Sequence, residues 1–132
     1  MPSTVELICV DPDRIFDFWR YARPLILAAI ERTGLSDFAS IENQVLSGEQ
    51  LLWLAWDGSA ILAAATTHLS RDVCTITACS GRDRKRWLPL IEHIENYAKA
   101  EGALRTRIIG RRGWERVLRS YRAQFVILEK DV

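Results

Sequence analysis

The chain has 132 residues, of which 48% are hydrophobic and 27% charged, and its formal net charge is +1. These values are typical of a folded globular protein and predict one domain over residues 1–132. We expect neither a membrane span nor a signal peptide, because no apolar run reaches roughly 18 residues and the N-terminus lacks a basic start and a cleavage-type site. Three cysteines without a CxxC pair indicate a reducing, cytoplasmic setting, and two histidines with dispersed acids predict no metal site.

Charge is divided unevenly along the chain. Residues 1–80 hold 5 Arg or Lys against 10 Asp or Glu, whereas residues 81–122 hold 12 against 5. Such segregation indicates that the second half faces an anion. The alternative is an arginine-rich surface that contacts only solvent.

The first third of the chain predicts one strand and then helices. Residues 5–10 read as a short strand that ends at an Asp-Pro-Asp turn. Apolar residues recur at helical spacing over residues 15–30, and Pro24 within them predicts a kink or two abutting helices. Asp37 is a suitable N-cap for a short helix that reaches about Leu46.

The middle of the chain predicts an antiparallel meander. Residues 51–56 and 61–69 form two apolar runs around Asp57-Gly58, a pair typical of a hairpin turn. Residues 73–79 are rich in β-branched side chains and predict a third strand.

The last third predicts helix, strand, short helix and strand. Residues 87–101 follow the helical period, and Gly102 stands where a C-cap is expected. Residues 104–108 alternate as a strand, residues 114–121 suit a short helix, and residues 125–128 read as a closing strand. The whole order predicts an α/β fold of the mixed-sheet α+β kind, in which an antiparallel meander is followed by a β-α-β unit and helices cover both faces as a three-layer structure.

Two segments carry a resemblance to a known family. The first is TITACSGRDRKRWLPLI, residues 75–91, whose helix continues to Ala98-Lys-Ala-Glu-Gly102. The second is GRRGWERVLRSY, residues 110–121. With the order of elements, these segments resemble the GNAT superfamily of N-acetyltransferases over nearly the whole chain. The second segment also resembles short acetyltransferase-like proteins of tailed bacteriophages.

The resemblance implies an acyl-CoA site, with acetyl-CoA as the acyl donor. The end of the central strand would pair with pantetheine, and basic side chains after it would hold the phosphates. The implied cofactor-binding residues are Ala78, Cys79, Ser80, Gly81, Arg82, Arg84, Lys85, Arg86 and Arg112.

The phosphate loop departs from the family's glycine-rich pattern. Counting back from the A-x-x-x-G ending, the expected glycines fall near Asp83, Lys85 and Trp87. Pro89 belongs in the first turn of a helix, which puts the basic residues before it around a helix N-terminus. Cations there oppose the helix dipole, and a bound phosphate would turn that repulsion into attraction. The alternative is a solvated basic loop without a ligand.

Candidate catalytic residues are few. Acyl transfer to an amine needs a base and an acid, and the family often takes them from a strand carboxylate and a tyrosine of the last helix. The central strand here holds no carboxylate, and the tyrosine position falls on Arg119, two residues before Tyr121. Tyr121 and His68 are the catalytic candidates, and packing roles are the alternative for both. Cys79 is expected to be a small buried residue.

Three functions stay open from the sequence. The first is an acyl-CoA-dependent N-acyltransferase acting on a small-molecule or peptide amine, with the acidic early helices suited to a cationic acceptor. The second is a non-catalytic phage assembly or virion protein that binds another protein. The third, ranked last, is a nucleic-acid binder that uses the arginines of the second half, since neither stacking aromatics nor a DNA-reading motif accompanies them.

Overall fold

A five-stranded mixed sheet forms the middle of the structure, a computed structural model that describes residues 4–132. The strands are β1 (Glu6–Cys9), β2 (Leu51–Trp56), β3 (Ile61–Ser70), β4 (Val73–Gly81) and β5 (Arg105–Ile108), and they follow one another across the sheet in that order. β1 to β4 pair antiparallel, and β4 and β5 pair parallel. The predicted mixed sheet, with a meander followed by a β-α-β unit, is confirmed.

Helices cover both faces of this sheet. They are α1 (Ile15–Thr33), α2 (Phe38–Ser47), α3 (Arg84–Trp87), α4 (Pro89–Ala100) and α5 (Trp114–Val117). α1 and α2 pack in one apolar cluster with the sheet, and α4 packs in a second cluster on the opposite face, so the predicted three layers are present. Across the described residues, no helix combines the length and apolar character that crossing a bilayer requires.

β2 shows why the sheet is buried on both faces. Leu52 and Leu54 belong to the cluster under α1 and α2, whereas Trp53 and Ala55 belong to the cluster under α4. Because successive side chains of a strand point to opposite faces, a strand covered on both sides has to be apolar throughout. This explains the unbroken run LLWLAW of β2.

Several helix ends and turns lie where the sequence predicts them, because residues next to them fix the backbone locally. The Asp37 carboxylate accepts a hydrogen bond from the Ser40 backbone N–H at 3.2 Å and so caps α2. Asp57 accepts from the backbone N–H groups two and three residues ahead and fixes the β2–β3 turn. Gly102 takes a φ of +88° after α4, a conformation that glycine adopts at little cost.

Three predictions of elements need correction. α1 continues as one helix through Pro24, so the prediction of two abutting helices is wrong. Apolar residues on both sides of Pro24 are buried against the sheet, and this packing outweighs the loss of one helical hydrogen bond. The helix predicted over residues 87–101 is divided, because α4 begins at Pro89 and the residues before it form a separate short helix, α3. Residues 125–128 pair with no described strand and so form no strand themselves, and their side chains are exposed. Their β-branched and aromatic composition alone does not make a strand, since that preference depends on packing against neighbours.

Candidate active site

β4 and β5 separate halfway along β4. The two strands pair from Val73 to Ile76, and the last hydrogen bond between them runs from the Ile109 N–H to the Ile76 carbonyl, at 3.2 Å. Beyond it, no described strand pairs with residues 77–81 on the side of β5. The backbone there has donors and acceptors without strand partners, so the sheet opens into a cleft.

A β-bulge lies at the same point. The β3–β4 register shifts between Thr66 and Thr67, and the side chains of β4 change faces across the shift. Ile76 belongs to the cluster under α4, whereas Ala78 belongs to the cluster under α1, and the Ser80 hydroxyl donates to a carbonyl of α1 at 2.6 Å. A bulge increases the local twist of a strand, which accounts for the departure of β4 from β5 at this residue.

The cleft holds a cavity of about 160 Å³. Its walls are the C-terminal end of α1, the second half of β4, α3 and the segment that follows β5. Arg32, Arg84 and Arg111 line it from three of these elements, and none of the three forms an ion pair within residues 4–132. Three unpaired guanidinium groups around one cavity favour an anionic ligand.

A buried polar network borders the cavity at the point where the strands part. Thr77 lines the cavity, and its hydroxyl donates to Oε1 of Gln50 at 2.6 Å. The same hydroxyl shares a hydrogen bond with the hydroxyl of Thr66, at 2.7 Å, and Gln50 in turn donates to Gln44 at 2.7 Å. Since Gln50 is only 4% exposed and Thr66 is fully buried, this network holds the Thr77 hydroxyl in one place.

Five of the residues predicted to bind the cofactor line this cavity: Ala78, Cys79, Ser80, Gly81 and Arg84. Burial raises the pKa of the Cys79 thiol to about 12, so it stays protonated and unreactive at neutral pH. Cys79 is therefore a small buried side chain, as expected, that forms part of the wall.

The other basic residues predicted for the site lie elsewhere. Arg82 and Arg112 are exposed and do not line the cavity, although each lies one or two residues from an arginine that does. Lys85 lines a separate hollow between α4 and the chain after α5. Arg86 lies 3.9 Å from the Asp57 carboxylate and so ties α3 to the β2–β3 turn.

Neither catalytic candidate lines the cavity. Tyr121 belongs to the same separate hollow, where its hydroxyl donates to Glu95 at 2.6 Å and shares a hydrogen bond with Thr106. Burial and the hydrogen bond to Glu95 raise the pKa of Tyr121. His68 is exposed on β3 opposite Thr75. Catalytic roles for Tyr121 and His68 stay predictions.

Sequence reasoning missed part of the cavity wall. Arg32 comes from α1, far from the family segments in the chain, and nothing in its surroundings singled it out. Arg111 lies in the second family segment, where the sequence predicts no role for it in cofactor binding, and Trp87 is predicted only as the start of a helix and as a departure from the glycine pattern. Asp83 also stands at a position where the family pattern expects a glycine. Its backbone takes a φ of +58°, a left-handed conformation that aspartate adopts more readily than most side chains.

Comparison with known proteins identifies the fold. No protein-family profile matches the chain, and no curated protein matches its sequence. Solved structures do match over almost the whole length. An aminoglycoside acetyltransferase from an uncultured soil metagenomic sample superposes with a TM-score of 0.68 at 11% identity, covering 97% of this chain and 96% of that chain.

Two further structures agree with it. A predicted acetyltransferase from Clostridium acetobutylicum, crystallised with acetyl-CoA, gives a TM-score of 0.66 at 12% identity and covers 97% of this chain and 96% of that chain. A ribosomal-protein-alanine N-acetyltransferase from Brucella melitensis biovar Abortus 2308 gives 0.66 at 11% identity, with coverages of 98% and 99%. The chain therefore has the fold of the GNAT acetyltransferases, as its sequence predicts. No comparison supports the resemblance to phage proteins.

The residues of the cleft fit acyl-CoA. The molecule offers phosphate anions, which match the three arginines of the cavity, and amides along its pantetheine arm. These amides match the backbone groups of residues 77–81 on the side of β5, where no described strand pairs with them. A third observation concerns Trp87, a residue of the cavity wall: its indole N–H is buried and has no hydrogen-bond partner among the described residues.

Proposed function

We propose that this protein binds acyl-CoA in the cleft between β4 and β5 and transfers the acyl group to an amine. The observation that carries the proposal is the opening of the sheet after Ile76, lined by arginines on three sides. The GNAT fold supports it, since structures of this fold include one crystallised with acetyl-CoA.

Each part of the wall has a task. Arg32, Arg84 and Arg111 hold the phosphates by charge-assisted hydrogen bonds. On the side of β5, the backbone of residues 77–81 pairs with the amides of the pantetheine arm, as an added strand would. Acyl-CoA, when bound, supplies an acyl group activated as a thioester.

Thr77 is placed to orient the amine. Its hydroxyl donates to Gln50, so an oxygen lone pair is left for an N–H of the acceptor. Because Gln50 and Thr66 fix the hydroxyl, the amine is held beside β4 without a cost in side-chain entropy.

The acceptor class follows from the charge of the early helices. Acids there favour a cationic amine, although two of them already form ion pairs within the chain. Asp17 lies 3.3 Å from Arg14 Nε, and Glu42 lies 2.7 Å from Arg23 Nε. The remaining acids of this surface are Asp11, Asp13, Glu31 and Asp37.

Calorimetric titration with CoA tests the binding step. We expect the wild type to bind CoA and the double variant Arg84→Ala with Arg111→Ala to bind at least about tenfold more weakly, since each lost charge-assisted hydrogen bond is worth about 1.5–3 kcal/mol. The matched control is Arg82→Ala with Arg112→Ala, which removes the same charge one or two positions away. Its affinity should stay within about twofold of the wild type, and an equal loss in both pairs would show a general charge effect and not a site.

Release of free thiol from acetyl-CoA tests the transfer step. The panel of acceptors is an aminoglycoside, a polyamine and a peptide with an N-terminal alanine. Thiol release that depends on one of these amines, and that is slower with Thr77→Val, supports the proposal.

A second candidate function is a GNAT-fold protein that binds acyl-CoA without transferring the acyl group. The position of Tyr121 favours it, because the hydroxyl is committed to Glu95 and Thr106 outside the cavity. CoA binding with no amine-dependent thiol release across the panel would select this candidate.

A further inference from the structure

Trp87 carries a buried donor that the fold does not use. Only 2% of the residue is exposed, and its Nε1 has no hydrogen-bond partner within residues 4–132. The indole N–H can only donate, and buried tryptophans usually find an acceptor for it. A buried polar group without a partner costs stability, so its presence in a folded core needs an explanation.

The same side chain lines the arginine-walled cavity. Trp87 packs edge-to-face on Trp114, with ring centroids 6.2 Å apart and an angle of 68° between the rings. Trp114 in turn lies against Gly110, where a Cβ would come within 2.6 Å of the ring. Glycine at that position therefore admits Trp114, and Trp114 helps to hold Trp87 at the wall.

Trp53 shows the ordinary state of a buried indole in this protein. It is as deeply buried as Trp87, and its Nε1 donates to the Thr67 hydroxyl at 2.9 Å. It lies on β2 and does not line the cavity. The two buried tryptophans thus differ in two respects: Trp53 has an internal acceptor and lies away from the cavity, whereas Trp87 lines the cavity and has no acceptor among the described residues.

We propose that Trp87 Nε1 donates a hydrogen bond to an oxygen of the pyrophosphate group of the ligand in the cleft. This inference rests on the proposed function and adds to it a neutral donor beside the charged ones. A phosphate oxygen is favoured over a carbonyl because Arg84 and Arg111 line the same cavity and would draw the anion into it. Trp87 then supplies, from a side chain, a donor of the kind that backbone N–H groups supply in a glycine-rich loop.

Two tryptophan-to-phenylalanine variants test the assignment. Trp87→Phe keeps an aromatic ring and removes only the unpaired donor, so the free protein should unfold at the same temperature as the wild type or higher. Its affinity for CoA and for inorganic pyrophosphate should fall about tenfold, as for loss of a hydrogen bond to a charged group. Trp53→Phe, the matched control, should lower the unfolding temperature and leave both affinities unchanged.

The outcomes separate this inference from the proposed function. Wild-type binding of CoA with an unchanged affinity in Trp87→Phe overturns the inference and leaves the proposed function standing. A loss for CoA but not for pyrophosphate also overturns it, since the donor would then contact another part of the ligand. A wild type that binds neither ligand overturns both.

A second measurement applies if Trp87→Phe does not fold. In the ¹⁵N-labelled wild type, the indole N–H proton of Trp87 should move downfield on saturation with pyrophosphate, and that of Trp53 should stay in place. An unmoved Trp87 resonance at saturation would refute the assignment.

Discussion

At Gly81, beside the cleft, packing against the neighbouring strand leaves no space for a side chain. A Cβ at this position would lie 2.4 Å from the Leu62 carbonyl oxygen and 2.6 Å from the Ala63 Cβ. Both contacts are to β3, so the glycine is required where β4 crosses close to its neighbour. Gly81, which the family resemblance assigns to cofactor binding, is therefore also required for the packing of β4 against β3.

Gly81→Ala should accordingly destabilise the protein by about 1–3 kcal/mol, because the added methyl group forces backbone and not a flexible side chain to move. Urea unfolding measures the change. Gly113→Ala is the control, since a Cβ there meets nothing within 4 Å, and its effect should stay within about 0.5 kcal/mol. Equal stability of Gly81→Ala and the wild type would show that β3 and β4 are not this close.

At the scale of elements, Glu42 joins the two helices on one face of the sheet. A single carboxylate oxygen of this α2 residue accepts from Trp19 Nε1 and from Arg23 Nε of α1, each at 2.7 Å. The hydrogen bond from Trp19, and after it that from Arg23, lower the pKa of Glu42 below its ordinary 4.5. The folded state therefore holds the charged form more strongly than the unfolded state does.

Glu42→Gln should lower the free energy of unfolding at pH 7 by about 1 kcal/mol, the difference between a charged and a neutral acceptor. A lowered folded-state pKa contributes stability that is present above the unfolded value and is lost as the pH falls through the folded one. The gap between wild type and variant should therefore narrow below pH 4.5. Denaturant unfolding at several pH values checks this, with exposed Glu49→Gln as control; a gap that does not change with pH would contradict the ion pair.

Elements with local signals were predictable from the sequence, and those fixed by distant contacts were not. Asp37, Asp57 and Gly102 mark their turns by side-chain or backbone chemistry that acts within a few residues. The continuous α1 depends on burial against a sheet that the sequence pattern does not show at Pro24. The strand expected at residues 125–128 has the right composition, yet these residues pair with no strand that the structure describes.

The site divides in the same way. The end of β4 and Arg84, which line the cavity, were predicted for the cofactor site because they lie in one segment that resembles the family. Arg32 was not, since it reaches the cavity only through the folding of α1 onto β4. Arg82 and Arg112 were assigned to the site by position in the chain, a criterion that does not tell which of two neighbouring arginines faces the cavity.

At the scale of the whole molecule, two apolar clusters cover opposite faces of one sheet, and the sheet opens where β4 and β5 part. The second half of the chain brings two arginines to this opening and the first half brings one. The basic excess of the second half thus contributes positive electrostatic potential to this cavity, although most arginines of that half do not line it. We propose that acyl-CoA occupies this opening.

Amide hydrogen exchange with and without CoA tests that claim most directly. In the free protein, backbone N–H groups of residues 77–81 on the side of β5 have no strand partner among the described residues, and bound pantetheine should protect them. β2, which pairs with strands on both sides, is the internal reference and should exchange equally in both states. Protection of residues 77–81 at saturating CoA is the predicted result, whereas unchanged exchange there, or protection confined to residues 105–128, would contradict the account.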